Sequence, residues 1–185
     1  KKLISIFLKK ILTTDCNPDK KSFIRLELDM FIGTGWDIHK HSNSKPLTLG
    51  GVAFDEDGFE AHSDGDILLH ALIDAILGAT SNKDIGHYFP SNEKTPSNIA
   101  STEMLKSILE EINFSTFKIN NIDMTIISQK INISSKSEVI EENISKLLSF
   151  DKNKINLKGK SVDKLGIIGN REASAAFVSI SLTNA

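Results

Sequence analysis

The sequence predicts an α/β fold of the α+β sandwich type, a mixed β-sheet with helices packed on one face. Three observations carry that prediction. Segments whose apolar residues alternate with period two are interleaved with segments whose apolar residues recur every three to four positions. The chain of 185 residues has the size of one ordinary domain, enough to bury a real core. No internal repeat and no long Gly/Ser- or Pro-rich linker divides it.

The first strand signal is SFIRLELDMFIGTGWDIH, residues 22–39, in which Ile24, Leu26, Leu28 and Met30 alternate. PLTLGGVAF (46–54) reads as a second strand, with Gly50 and Gly51 suggesting a bulge or a close backbone approach, and DEDG (55–58) as a turn. A helix follows in SDGDILLHALIDAILGA, with Ser63 as N-cap and Asp66 at the third helical position. Its apolar stripe is Leu69, Leu72, Ile73, Ile76 and Leu77. Residues 81–97 read as a loop, long enough to suggest function. Helices are expected over 99–112 and 137–150, and strands over 117–128, 154–161 and 175–183. Residues 31–185 are expected to form the single domain, after an N-terminal extension over 1–30.

Composition excludes several function classes. With 22 basic against 24 acidic residues the net charge is −2, so neither nucleic acid nor a membrane surface is an expected partner. No apolar run is long enough to span a bilayer. The lone cysteine, Cys16, cannot build a thiolate zinc site, which leaves histidine and carboxylate as the metal-binding side chains. The start KKLISIFLKKILTT is basic and lacks acids. It reads either as a solvated extension or as the remainder of a targeting sequence for a plastid-type organelle, with a bacterial cytoplasm the alternative location.

The stretch GTGWDIHKH (33–41) has the look of a phosphate loop, but Ile38 stands where a third glycine would complete G-x-G-x-x-G. Gly33 and Gly35 are read as easing the backbone of a strand end. In an extended segment Asp37 and His39 leave the same face. AHSDGDILLH then supplies His62, Asp64, Asp66 and His70. Together, Asp37, His39 and His70 would offer one oxygen and two imidazole nitrogens, a set that suits Zn²⁺ and leaves a fourth position open. Each piece also has an ordinary reading: D-x-H as turn chemistry, His70 as a hydrogen-bonded core histidine, and Asp66 as a helix cap. Ser63 lies in no nucleophile elbow, which argues against a serine hydrolase.

G-W-D-I-H, the downstream G-G-V, A-H-S-D-G-D-x-x-x-H-A-L-x-D-A-x-L-G-A, D-I-G-x-x-F-P and D-K-L-G occur in order across roughly residues 31–183. In these motifs the sequence resembles the 2-C-methyl-D-erythritol 2,4-cyclodiphosphate synthases. The resemblance implies conversion of a CDP-linked methylerythritol 2-phosphate to a cyclic diphosphate with release of CMP, in non-mevalonate isoprenoid precursor synthesis. It implies Zn²⁺ on Asp37, His39 and His70, and a second divalent cation, Mg²⁺ or Mn²⁺, on Asp163, where the family usually has glutamate. Substrate contacts are implied for His62 and Ser63, and for Asp84, Ile85, Gly86, Phe89 and Ser91 in the methylerythritol segment. Further contacts are implied for Ser128, Gln129, Lys130 and Ile133 in the cytidine stretch, and for Lys160 and Ser161 near the phosphates. QKINISS (129–135) lacks the usual Ala-Pro-Lys-Met pattern of that stretch, Ser161 replaces a threonine, and Ile167 and Asn170 replace a usual Phe and Arg. The family gives His41 no role. The resemblance also implies a homotrimer with active sites between subunits. A zinc-dependent phosphohydrolase and a noncatalytic metal-stabilised nucleotide-binding module are the competing readings.

Overall fold

The computed structural model describes residues 29–185. The alternation over Ile24, Leu26 and Leu28, Cys16 and nearly all of the expected extension over 1–30 lie outside the described residues. Ten elements follow in chain order: β1 (Met30–Leu49), β2 (Val52–Phe59), α1 (Ile67–Ala79), α2 (Ile85–Tyr88), α3 (Ser101–Glu111), β3 (Phe117–Ile127), α4 (Ser137–Leu147), β4 (Ile155–Lys160), α5 (Gly166–Gly169) and β5 (Ala173–Asn184). The strands form one sheet in the order β2-β1-β5-β3-β4. Only the β3–β4 pair is parallel, so the sheet is mixed as expected.

Helix α1 is the centre of the molecule. Eleven of its thirteen residues are buried, against the sheet strands β1 and β5 on one side and α3 on another. The apolar stripe predicted for it is therefore only part of what it buries. Its approach to β1 explains the two glycines of GTGW. A Cβ on Gly33 would lie 1.8 Å from the Ala75 carbonyl oxygen, and one on Gly35 would lie 1.9 Å from that of Ala71. Both glycines sit inside the strand, so the expectation of an eased strand end is corrected: helix backbone and strand backbone are in direct contact there.

The opposite face of β1 carries Met30, Ile32 and Trp36, all exposed, and Trp36 pairs across the ladder with exposed Phe177 of β5. Helices on one face and an open second face match the predicted sandwich.

Five local expectations are corrected. Residues 30–39 of the first strand signal and 46–49 of the second belong to one strand, β1, while 52–54 open β2; β1 continues through the polar residues 40–45. Those residues show no apolar alternation, and their pairing with β2 shifts register around His41 and Pro46, which hid the continuity. Gly50 and Gly51, with φ of 60° and 75°, form the two-residue turn of the β1–β2 hairpin, not a bulge within a strand. DEDG lies within β2, an edge strand open to water, where acidic residues cost little. The cap of α1 is Asp66, three residues later than predicted. The expected 81–97 loop also contains the short helix α2, capped by Asp84, which accepts from His87 N–H at 2.9 Å.

Candidate active site

Asp66 fixes the entrance to α1. Its carboxylate accepts the N–H groups of Leu68 and Leu69 at 3.1 and 3.0 Å, and those of Gly50 and Gly51 at 3.0 and 2.6 Å. One fully buried side chain thus ties the hairpin turn to the first turn of the helix. Burial pushes its pKa up, and the N–H groups of Gly51, Leu69 and Gly50 oppose that push. Asp66 is therefore a cap.

With α1 so placed, His70 projects from its first turn toward β1, where Asp37 and His39 share the helix-facing side. The three ligand atoms lie within 4.8 Å of one another. His70 Nδ1 is 3.0 Å and His39 Nε2 is 3.2 Å from the same oxygen, Asp37 Oδ2. Ligand atoms at zinc-bonding distances and tetrahedral angles stand about 3.3 Å apart, so these separations suit a shared ion.

Hydrogen bonding supports the same conclusion. Ser101 Oγ donates to Asp64 Oδ1 at 2.5 Å, and Ser101 N–H donates to Asp64 Oδ2 at 2.9 Å. Having spent its proton, the Ser101 oxygen accepts from His70 Nε2–H at 3.0 Å. Ser63 Oγ lies 3.2 Å from the same nitrogen. With the proton on Nε2, the Nδ1 lone pair of neutral His70 faces a carboxylate oxygen, an arrangement that a cation between them, a proton or a metal, completes. Burial opposes charge on His70, but the hydrogen bond and charge of Asp37 outweigh it and raise its pKa. Burial likewise works to raise Asp37, and the His70 hydrogen bond with the nearby His39 charge brings it below the usual carboxylate range. Desolvation dominates at His39 and lowers its pKa. Its Nδ1 is buried without a hydrogen bond. One oxygen and two nitrogens around a point that demands positive charge fit a divalent metal.

The trio opens into a cavity of about 310 Å³. Of the predicted substrate contacts, His62, Ser63, Ile85, Gly86, Phe89 and Ser91 line it. His62 is anchored by an Nε2–H bond to the Thr95 carbonyl at 2.8 Å. Asp84 caps α2 and does not line the cavity. Asp74, Thr95 and Met104 do line it and were not anticipated. Asp74 Oδ1 accepts Ile85 N–H at 2.7 Å, which holds α2 over the site; burial raises its pKa. Its spacing of four from His70 on the helix was the available signal. Ser101 carried no such signal.

The remaining predicted residues gather elsewhere. Asp37, Ala176, Ile126 and Gly159 are successive ladder partners across β1, β5, β3 and β4. Three strand spacings separate the first from the last, about 14 Å. At that far side, Ser128 N–H donates to the Lys160 carbonyl at 2.9 Å, and Gln129 Oε1 accepts Lys164 N–H at 3.3 Å. Lys130 pairs with Asp57 at 3.2 Å. Ile133 is buried in the core against Gly159, and its carbonyl accepts the N–H groups of Lys136 and Ser137 at 2.9 Å each. Ser161 and Asp163 lie beyond the end of β4, outside the cavity, and Asp163 has a φ of 51°.

The YgbB family model matches residues 30–183. A bifunctional IspD/IspF enzyme of Aliarcobacter butzleri is 43% identical over 148 residues, 80% of this chain; the chain spans only 40% of that longer relative's length. A 2-C-methyl-D-erythritol 2,4-cyclodiphosphate synthase of Clostridium botulinum is 41% identical over 148 residues, covering 80% of this chain and 96% of the relative. Among solved structures, IspF of Plasmodium falciparum in complex with CDP superposes with a TM-score of 0.74 at 39% identity, covering 84% of this chain and 96% of that one. With its fold, its cavity and its Asp37–His39–His70 trio in place, the chain belongs to the YgbB family, the family of the 2-C-methyl-D-erythritol 2,4-cyclodiphosphate synthases.

Proposed function

We propose that this chain converts 4-diphosphocytidyl-2-C-methyl-D-erythritol 2-phosphate to 2-C-methyl-D-erythritol 2,4-cyclodiphosphate with release of CMP, acting as a phosphorus–oxygen lyase in non-mevalonate isoprenoid precursor synthesis. The observation that carries this reading is the convergence of Asp37, His39 and His70 at the wall of a cavity also lined by His62, Ser63 and the 85–91 segment.

In the reaction, an oxygen of the 2-phosphate bonds to the β-phosphorus. The bond from that phosphorus to the oxygen bridging it to the α-phosphorus breaks, and CMP departs with the bridging oxygen. The attacking phosphate is already an anion, so no side chain has to take a proton from it. Positioning and charge neutralisation are what the site must provide. When bound, Zn²⁺ at Asp37, His39 and His70 and a second divalent cation, Mg²⁺ or Mn²⁺, at Asp163 supply Lewis-acid neutralisation to the diphosphate. Ser101, backed by Asp64, keeps the His70 Nδ1 lone pair aimed at the shared point. His62 and Ser63 face the substrate from the segment that Lys45 holds through the Ala61 and Ser63 carbonyls, at 2.7 and 2.5 Å. Ile85, Gly86 and Phe89 enclose the methylerythritol, with Asp74 anchoring Ile85. Asp84 acts by capping that helix.

Ser128, Gln129, Lys130, Ile133, Lys160, Ser161 and Asp163 lie outside the cavity, in and after the ends of β3 and β4. We assign them to the cytidine and phosphate end of a site completed by a neighbouring copy in a homotrimer. The exposed Met30, Ile32, Trp36 and Phe177 on the open sheet face support such an assembly. The CDP complex of the Plasmodium falciparum relative supports a CDP-linked substrate. No helix among the described residues is long and apolar enough to cross a membrane. The acid-free first fourteen residues, four of them lysine, support a plastid-type location.

Turnover in ¹⁸O-labelled water tests the chemistry. CMP and a cyclic diphosphate free of solvent oxygen are expected, with turnover lost in Asp37→Asn while the fold is retained. Solvent oxygen in the product would instead identify a zinc-dependent phosphohydrolase. Full activity in Asp37→Asn would remove the trio from the mechanism.

A further inference from the structure

His41 stands two residues beyond His39 on β1, yet it does not line the cavity. Its ring stacks on Phe59, centroids 4.9 Å apart and planes 27° apart. His41 Nε2 lies 2.9 Å from Ser174 Oγ on β5. Ser174 is fully buried, and its hydroxyl donates to Ser128 Oγ at 2.7 Å. Ser128 Oγ in turn accepts the N–H groups of Lys130 and Ile131 at 3.1 and 2.9 Å, the first two amides of the segment after Gln129. Because the Ser174 proton points to Ser128, the Ser174 oxygen takes its hydrogen bond from His41 Nε2–H.

The chain of contacts has direction and an end point. It starts on the strand that carries two of the three metal ligands and ends on the backbone of the cytidine stretch. Packing alone does not require it, since an apolar side chain in place of each polar one would avoid the cost of burying it. Neither serine lines the cavity that holds the trio. What the chain fixes is where the amides of Lys130 and Ile131, and the backbone around them, stand. Residues 129–135 lack the family's usual side chains, so their backbone carries more of the recognition of the base.

We propose that His41 is a positioning residue for nucleotide binding: acting through Ser174 and Ser128, it sets the 128–131 turn and so the affinity for the cytidine diphosphate portion of the substrate. This rests on the reading of 129–135 as the cytidine segment.

The test uses the zinc-loaded full chain with CDP as the calorimetric probe, and amide hydrogen exchange at Lys130 and Ile131 in the absence of nucleotide. Ser174→Ala is small enough to preserve the packing, His41→Phe keeps the stack on Phe59 but donates nothing, and His41→Gln keeps a donor. Loss of one such hydrogen bond is expected to weaken CDP binding about five-fold. KM for the substrate should rise by a similar factor in Ser174→Ala and His41→Phe, with kcat and zinc content unchanged and both amides exchanging faster. His41→Gln should recover most of the affinity, and the double variant should be no worse than either single one. Unchanged exchange or unchanged CDP affinity in Ser174→Ala overturns the relay, as does a simple sum of effects in the double variant. Failure of the unsubstituted protein to bind CDP would overturn the reading of 129–135, and with it the role assigned to His41, whatever the exchange rates show.

Discussion

Asp37 holds two imidazoles on one carboxylate oxygen, and the protonation of this trio sets its affinity for metal. His70 keeps its proton above the usual histidine pKa, because Asp37 outweighs the burial that opposes the charge. A metal must displace that proton. Affinity is therefore full above the His70 pKa and falls as pH drops through it, with the fall beginning above the pH expected of a free histidine. Zinc competition against a chelator across pH reads this directly, and affinity independent of pH in that range would contradict it. In Ser101→Ala the Nε2–H of His70 loses its strongest oriented acceptor, and zinc should bind roughly 10–100-fold more weakly. The trio was legible because each member sits in a motif with the right spacing. Ser101 was not, since a serine opening a helix thirty residues away has no signature; packing of α3 on α1 brings it to His70.

The contact between α1 and β1 decides whether that trio can form. Gly33 and Gly35 allow helix and strand backbones to touch, and any Cβ there meets a carbonyl oxygen under 2 Å away. Gly35→Ala is expected to destabilise the fold by about 1–3 kcal/mol or more, since neither backbone can yield. Urea unfolding at constant slope would show it, and a wild-type midpoint would mean that the helix sits farther off than described. Asp66 does for the helix entrance what the glycines do for its flank, by joining the turn at Gly50–Gly51 to the first helical amides. Strand and helix identities were largely readable from periodicity. Their boundaries were less so: β1 crosses a polar stretch that only its partners hold extended, and DEDG resembles a turn because an edge strand tolerates acids.

The described residues hold the predicted site residues in two places on one sheet, two to three strand spacings apart. One group surrounds the metal-binding trio and the other closes around the ends of β3 and β4. A single copy does not bring them together, which is what a site shared between copies requires. The apolar group of Met30, Ile32, Trp36 and Phe177 on the open face is the surface available for assembly. If copies assemble through that face, as proposed, Trp36→Asp places a charge in the contact and is expected to dissociate the assembly and abolish turnover while leaving the Asp37–His39–His70 trio able to bind zinc. Sedimentation or gel filtration with metal analysis checks this; an active, unaltered assembly would place the interface elsewhere.

Motif order and residue chemistry specified the family, the three side chains of the candidate metal site and the layered α+β architecture, because strand alternation, helical periodicity and ligand type are local properties of a chain. Position could not be read the same way. That Asp66 caps α1, that Ser101 and Asp74 support the site, that His41 reaches Ser174 and Ser128, and that residues 129–135 stand outside the cavity of the trio all depend on which elements pack together. Those distances are set by contacts between residues far apart in sequence, and a single sequence carries no record of them.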